Sequence, residues 1–143
     1  MRVLFDTNVV LDLLLDREPF VEHALYLFAK VECSEITGLI CAVTVTTIHY
    51  LMTKALGSKE AARHIGTLLS LFEIAPVNRS VLEEALAAGF SDFEDAVLYT
   101  SALKAGADCI VTRDLPGFKR AKIPVYAPEE LASILESLEE NRD

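Results

Sequence analysis

Short apolar runs alternate with longer amphipathic stretches along the chain, and this alternation predicts the order of strands and helices. The apolar runs predict strands at residues 2–5, 38–43, 73–77, 109–112 and 123–126. Apolar residues at helical spacing predict helices at 9–15, 21–31, 44–55, 58–71, 81–88, 91–105 and 128–138. Because strands and helices alternate, the pattern favours right-handed crossovers and a mainly parallel sheet with helices on both faces.

Proline, glycine and serine positions refine the ends of these elements. Pro124 lies inside the last predicted strand and places it at an edge of the sheet, because proline cannot donate a hydrogen bond to a neighbour. Gly57 closes one helix, and Ser58 is the predicted N-cap of the next. Pro116 and Gly117 predict a turn after the fourth strand. An α/β fold with a mainly parallel sheet of about five strands is therefore predicted.

The composition indicates one domain that buries a substantial core. The chain has 143 residues, of which 52% are apolar and 24% charged, and its mean hydropathy is +0.33. No repeat or linker divides it, so residues 1–143 are predicted to form a single domain. No apolar run is as long as a membrane-spanning helix and no signal segment precedes the first strand, which predicts a cytoplasmic protein without a membrane partner.

The cysteines and histidines do not form a recognisable metal or redox motif. Cys33, Cys41 and Cys109 are odd in number and widely spaced, which favours buried, reduced thiols over a disulfide or a zinc site. The three histidines lack paired ligand spacing, so ordinary packing is the interpretation for each of them.

The net charge argues against a broad surface for nucleic acid. The chain has 22 acidic and 13 basic residues, a net charge of −9, whereas phosphates favour a basic footprint. Acidic residues are concentrated from about residue 129 onwards, which predicts an acidic, solvated carboxyl-terminal helix and tail. The positions of the remaining charges therefore matter more than their sum.

Two carboxylates follow predicted strands. Asp6 ends the run at 2–5, and Asp114 follows the strand at 109–112. The carboxyl ends of parallel strands meet at one edge of a sheet, where ligands bind in open α/β folds. Carboxylates gathered there repel each other unless a cation holds them, and Mg²⁺ or Mn²⁺ prefer such oxygen ligands. The plain alternatives are an N-cap for Asp6 and a turn-starting residue for Asp114.

A further group of acids opens the helix predicted from Ser91. Ser91 and Glu94 fit a capping box in which Ser91 is the N-cap. Asp92 either complements the helix dipole or binds metal beside Asp95, because i, i+3 spacing places the two on one helix face. Asp95 lies next to an apolar run, where an unpaired charge is costly. Asp95 is therefore a candidate ligand together with Asp6, and Asp92 is a further candidate.

Short polar residues lie next to these candidate ligands. Asn8 and Thr112 are predicted to orient the carboxylates or the waters of a metal, and Glu94 belongs to the same outer group. Thr7 has either this role or a backbone capping role at the strand-to-helix turn.

Together these motifs resemble the PIN-domain family. The similarity covers nearly the whole chain and rests on the ordered motifs Asp6-Thr7-Asn8, Asp92-Phe93-Glu94-Asp95-Ala96 and Val111-Thr112-Arg113-Asp114. Within the family, the chain resembles a PIN-like subgroup that carries the same Asp-Phe-Glu-Asp-Ala signature. The resemblance implies a three-layer α/β/α fold, an acidic Mg²⁺ or Mn²⁺ site, and endoribonuclease activity like that of the VapC toxins of toxin–antitoxin pairs.

One position departs from the family pattern. Most VapC-like members carry a glutamate in the helix after the second strand, whereas Thr46 and Thr47 stand at the corresponding place here. Three consequences stay open. Asp92 supplies the missing ligand, the metal binds more weakly, or the activity has been lost.

The predicted function is that of a divalent-metal-dependent endoribonuclease, a hydrolase that cleaves RNA phosphodiester bonds. The predicted metal ligands and catalytic residues are Asp6, Asp92, Asp95 and Asp114. The predicted contacts to RNA phosphates are the basic residues Arg113, Lys119 and Arg120. The resemblance also implies a homodimer and a small antitoxin as a partner.

Two other functions stay open from the sequence. A PIN-like module without catalysis would bind metal, RNA or a protein partner; the absent helix glutamate favours it and the three aspartates disfavour it. A phosphohydrolase with Asp6 as nucleophile usually needs an aspartate two residues on, where Asn8 stands, and a later lysine motif. Chelator sensitivity without a covalent phosphoenzyme separates the nuclease from the phosphohydrolase.

Overall fold

A five-stranded parallel sheet forms the centre of the molecule, in a computed structural model that describes residues 1–142. The strands are β1 (Arg2–Phe5), β2 (Thr37–Cys41), β3 (Glu73–Ala75), β4 (Cys109–Val111) and β5 (Val125–Tyr126). Their order is β3-β2-β1-β4-β5, and every neighbouring pair is parallel. The predicted parallel sheet is confirmed, and so is the edge position of the strand that follows Pro124.

Helices cover both faces of this sheet. They are α1 (Thr7–Leu14), α2 (Val21–Glu32), α3 (Ala42–Leu56), α4 (Ser58–Leu71), α5 (Arg79–Ala87), α6 (Phe93–Lys104), α7 (Pro128–Glu140) and the 3₁₀ helix η1 (Leu115–Phe118). Val3 and Phe5 of β1 pack under α1 to α4 and α7, whereas Leu4 packs under α5 and α6. This alternation is the two-residue period of a strand buried on both sides. In residues 1–142, no helix combines the length and apolarity of a membrane span.

The register of the central strands brings their carboxyl ends level. Phe5 pairs with Val111 in the β1–β4 ladder, and the Asp6 amide donates to the Val111 carbonyl over 3.0 Å. The Thr112 amide donates to the Tyr126 carbonyl over 3.0 Å. Asp6 and Thr112 therefore leave adjacent strands side by side, at the edge where α1 and η1 begin.

Several predicted boundaries are wrong by a few residues. The prediction of Ser58 as an N-cap is wrong, because Gly57 with its φ of +90° caps both α3 and α4 and lets the chain reverse without a linker. Helix α5 begins at Arg79, earlier than predicted, because the Asn78 side chain accepts a hydrogen bond from the Val81 amide over 3.1 Å.

The cysteines are free thiols in two environments. Cys41 and Cys109 are buried as predicted, and burial raises the pKa of the Cys109 thiol to about 12. Cys33 is exposed, so the prediction of burial is wrong for this residue. Cys33 follows the last residue of α2, and the chain around this helix end, residues 32–35, is exposed.

Candidate active site

Asp6 lies between β1 and α1 and is both the N-cap of the helix and a nearly buried carboxylate, 7% exposed. Its Oδ1 accepts from the Thr7 amide over 2.7 Å, and its Oδ2 accepts from the Thr112 hydroxyl over 2.7 Å and the Asn8 amide group over 3.3 Å. Burial raises the pKa of Asp6, the hydrogen bonds from Thr112 and Thr7 oppose the rise, and neighbouring carboxylates add to it. This carboxylate is therefore held in one orientation.

The Thr112 hydroxyl connects the two carboxylates that follow strands. It donates to Asp6 and accepts from the backbone amide of Asp114 over 2.9 Å. It also lies 3.4 Å from the side-chain nitrogen of Asn8. The Asp114 side chain in turn accepts from the Gly117 amide over 3.2 Å, at the start of η1. The structure thus brings Asp6, Asn8, Thr112 and Asp114 together at one end of the sheet.

The amino end of α6 is built differently from the prediction. Asp92 is the N-cap, and its Oδ1 accepts from the Asp95 backbone amide over 3.0 Å. The predicted capping box, with Ser91 as N-cap and Glu94 as its partner, is therefore wrong. Aspartate caps a helix as well as serine does, and the shift of one residue starts the helix at Phe93. Glu94 consequently has no capping role.

Asp95 is the carboxylate with the most strongly shifted acidity in this cluster. Burial raises its pKa to about 7, and the negative charges of Asp6, Asp92, Asp114 and Glu94 add to the rise in that order. Glu94 also raises the pKa of Asp6. The predicted ligand carboxylates, together with Glu94, therefore lie within electrostatic reach of one another.

Gly117 lies against two members of this acidic cluster. A Cβ atom on Gly117 would be 2.5 Å from Asp114 Oδ2 and 2.8 Å from Asp95 Oδ2. Two carboxylate oxygens from different segments of the chain thus approach one point, and the glycine leaves that point open. The sequence indicated Gly117 only as part of a turn, so this contribution was missed.

The chemistry of these donors fits a hard divalent cation. All of them are carboxylate oxygens, which Mg²⁺ and Mn²⁺ prefer, and a cation would relieve the repulsion between them. In residues 1–142, however, no three Asp, Glu, His or Cys side chains already lie close enough to hold an ion. Asp95 and Asp114 supply the converging pair, and Asp6 and Asp92 are the candidates for a third donor.

Helix α3 places threonines beside the site and no carboxylate. Thr44 is fully buried, and its hydroxyl accepts from the Thr7 hydroxyl over 3.2 Å. The hydroxyls of Thr46 and Thr47 donate to the Val43 carbonyl over 2.8 and 3.2 Å. This side of the site is therefore neutral, and its acids come from the ends of β1 and β4 and from α6.

An ion pair that was not predicted, between a buried carboxylate and a partly exposed guanidinium, holds the segment carrying Asp114. Asp12 in α1 is 1% exposed, and its two oxygens accept from Arg113 Nε over 2.6 Å and Nη2 over 3.1 Å. The Arg113 guanidinium lies 3.8 Å from the centre of the Phe20 ring. The backbone amide of Arg113 donates to the side-chain oxygen of Asn8 over 3.2 Å. Because this guanidinium is engaged within the protein, its contact with RNA stays a prediction.

The other two predicted RNA contacts, Lys119 and Arg120, line one cavity. Lys119 and Arg120 follow η1, are exposed, and line a cavity of about 180 Å³ to which Gly117 also contributes. The cavity that these basic side chains line therefore shares Gly117 with the acidic cluster.

The fold and this cluster define a class of protein: a parallel α/β domain with carboxylates gathered at the ends of β1 and β4 and at the start of α6. The PIN domain family matches residues 2–116 of the sequence. The chain therefore belongs to the PIN domain family.

The proteins that this chain resembles align with most of its length. Ribonuclease VapC1 of Aquifex aeolicus (strain VF5) is 25% identical over 134 residues, which are 90% of this chain and 92% of that protein. VapBC2 from Rickettsia felis, bound to a DNA fragment from its promoter, has a chain with a TM-score of 0.65 and 18% identity, covering 89% of this chain and 98% of its own. VapBC-1 from nontypeable Haemophilus influenzae has a chain with a TM-score of 0.67 and 14% identity, covering 90% of this chain and 99% of its own. The chain is thus a distant relative of the VapC ribonucleases, and the solved structures share its fold.

Proposed function

We propose that this chain is an endoribonuclease that hydrolyses RNA phosphodiester bonds with the help of Mg²⁺ or Mn²⁺. The observation that carries the proposal is the approach of Asp95 and Asp114 to one open point at Gly117, beside the fixed carboxylate of Asp6. The name of the Aquifex aeolicus relative, a ribonuclease, supports it.

In this function each carboxylate has a distinct task. A cation at the site supplies charge neutralisation at the phosphate and activation of water. Asp95 and Asp114 would hold this cation, while Thr112 and Asn8 keep the Asp6 carboxylate in place at the same edge of the sheet. Asp92, exposed at the start of α6, fixes the first turn through the Asp95 amide and would accept a proton from water in this mechanism.

The biological setting that fits this activity is a toxin–antitoxin pair. Solved relatives include VapBC complexes and a toxin–antitoxin complex from Klebsiella pneumoniae, the latter with a TM-score of 0.66 and 22% identity. By analogy, the chain forms a homodimer and is neutralised by a small protein. Light scattering of the purified chain tests the dimer, and copurification with the product of an adjacent small gene tests the partner.

The proposed activity is tested by cleavage of a mixed pool of single-stranded and structured RNAs in Mn²⁺, with EDTA as a control. We expect cleavage by the wild type, and loss of cleavage in EDTA and in the Asp6→Asn variant. EDTA removes the cation, and the variant removes one of the carboxylates of its site. Equal cleavage by wild type and Asp6→Asn would point to a contaminating nuclease and would sink the assigned site.

Replacing Gly117 by alanine is expected to weaken Mn²⁺ binding by roughly tenfold, because the new Cβ would displace the oxygens of Asp95 and Asp114. Isothermal titration calorimetry measures this affinity. Gly66→Ala in α4 is the matched control, since nothing lies within 4 Å of its Cβ position. The position assigned to the cation is wrong if the two variants bind Mn²⁺ equally well.

A second candidate function is a PIN-like module without catalysis. Two observations favour it: no three ligand side chains are already gathered in residues 1–142, and α3 presents threonines beside the site. Such a module would bind Mn²⁺ in the calorimeter but would leave the RNA pool intact. Cleavage that depends on both Mn²⁺ and Asp6 excludes it.

A further inference from the structure

A cavity of about 180 Å³ adjoins the acidic cluster and has a different chemical character. It lies between the loop before α6 and the η1 turn, and its lining includes Gly89, Phe90, Gly117, Lys119 and Arg120. Gly117 belongs to both places, because the point beyond its Cα is where the carboxylates of the acidic cluster converge. The cavity and the acidic cluster therefore meet at Gly117.

The cavity carries the cations that the acidic cluster lacks. Lys119 and Arg120 are exposed, and neither takes part in an ion pair within residues 1–142. Gly89 has a φ of +76°, and its Cβ position would be 3.3 Å from Arg120 Nη1, so the guanidinium rests on the bare backbone of this residue. In a chain with a net charge of −9, two unpaired cations at one cavity are placed to receive an anion.

An aromatic ring completes the cavity wall. Phe90 is half-buried and stacks on Tyr99, with ring centres 5.0 Å apart and planes at 26°. Phe118 packs against the Phe90 ring in an edge-to-face arrangement, with ring centres 6.2 Å apart and planes at 81°. A ring held in this way is a firm surface for a nucleobase, because stacking needs a fixed π-face and tolerates any base.

We propose that this cavity binds the nucleotide next to the cleaved phosphodiester of single-stranded RNA, with Lys119 and Arg120 on its phosphate and Phe90 against its base. The proposal rests on the proposed function and deepens it. Cations beside an aromatic ring match the two parts of a nucleotide, and the volume admits part of one nucleotide rather than a helix. A paired base is stacked inside a duplex and cannot enter, so the cavity selects unpaired RNA.

The test measures binding and cleavage separately. Fluorescence anisotropy reports binding of a labelled single-stranded hexanucleotide and of its duplex, in Mg²⁺ and in an Asp6→Asn background that prevents cleavage. The added changes are Lys119→Gln, Arg120→Gln and Phe90→Leu. Lys122→Gln is the matched control, because Lys122 is exposed on the same loop and does not line the cavity. Cleavage by otherwise wild-type chains is followed on RNA and on bis(4-nitrophenyl) phosphate, which has no neighbouring nucleotide.

We expect each charge variant to weaken single-strand binding by about fivefold or more and to lower the salt dependence of log Kd by about 0.7. Phe90→Leu should weaken binding about tenfold, and circular dichroism checks its fold. Cleavage of bis(4-nitrophenyl) phosphate should fall by a smaller factor than cleavage of RNA, because this substrate has no neighbouring nucleotide. The cavity assignment is wrong if the Lys119, Arg120 and Phe90 variants bind single-stranded RNA as tightly as Lys122→Gln does. It is also wrong if the duplex binds as tightly as the single strand. Absence of RNA cleavage by the wild type overturns the proposed function instead, and the binding comparison still decides the cavity.

Discussion

The Asp95→Asn variant is expected to lose at least about a thousandfold in the rate of RNA cleavage and yet to be more stable than the wild type in EDTA. The loss of activity follows from its place as one of the two carboxylates that approach Gly117. The gain in stability follows from the raised pKa, about 7, because the folded protein resists ionisation of this group. Asparagine keeps the shape of the side chain and removes the repulsion.

The pH dependence gives the sign of this effect. The pKa of Asp95 is 3.8 in the unfolded chain and about 7 when folded, so the folded state binds more protons between these values. The contribution of Asp95 to the stability of the metal-free wild type is therefore full below pH 3.8 and is lost as the pH rises through about 7. At pH 8 we expect Asp95→Asn to be more stable by about 1 to 2 kcal/mol, a figure reduced for the partial exposure of this carboxyl.

Urea denaturation at pH 5 and pH 8, with EDTA or Mn²⁺, measures both effects. Mn²⁺ should stabilise the wild type and leave Asp95→Asn nearly unchanged, because only the wild type has the complete pair of carboxylates. Glu136→Gln, an exposed site on α7, controls for the loss of one negative charge. A variant that is less stable than the wild type at pH 8 in EDTA would contradict the crowding of charge described for this cluster.

Replacing Asp12 by alanine is expected to lower the free energy of unfolding by about 3 kcal/mol. The carboxylate is 1% exposed and binds the Arg113 guanidinium through both oxygens, so its removal leaves a half-buried cation without its partner. Arg17 contacts the same carboxylate at 3.8 Å with a side chain that is 40% exposed. Arg17→Ala should therefore cost less than about 1 kcal/mol, which makes it the matched control.

A double variant separates the ion pair from simple packing. Asp12→Leu combined with Arg113→Met replaces both charges by apolar groups and should regain much of the stability lost in Asp12→Ala. Equilibrium urea denaturation of the variants provides the comparison. If Asp12→Ala and Arg17→Ala destabilise the chain equally, the buried pair has no special role in holding the turn after β4.

The fold could be predicted because the local patterns of strands and helices agree with the way these elements pack together. Alternating strand and helix patterns leave a parallel sheet with helical layers as the consistent solution, and strand ends in such a sheet share one edge. That rule alone predicts that the segments carrying Asp6 and Asp114 lie close together. The N-cap of α6 was misplaced by one residue because serine and aspartate cap helices equally well, and both Ser91 and Asp92 were available.

The parts of the site that escaped prediction depend on long-range contacts. Asp12 is a single charge in an apolar helix, a pattern that calls for a partner if the residue is buried. Its partner, Arg113, is 101 positions away, so only the fold identifies it. Gly117 is a turn glycine in the sequence, and its place against Asp95 depends on how α6 packs beside η1. Contacts of this kind follow from tertiary packing rather than from local pattern.

The two edge strands of the sheet are short, β3 with three residues and β5 with two. An edge of this length offers few unpaired backbone groups, and Pro76 and Pro124 flank the two strands with residues that cannot donate. The chain therefore gives little template for a sixth strand, whether from a second copy or from a misfolded neighbour. Assembly with other proteins is left to the helical faces and loops, and the sheet itself is protected against the edge-to-edge pairing that leads to aggregation.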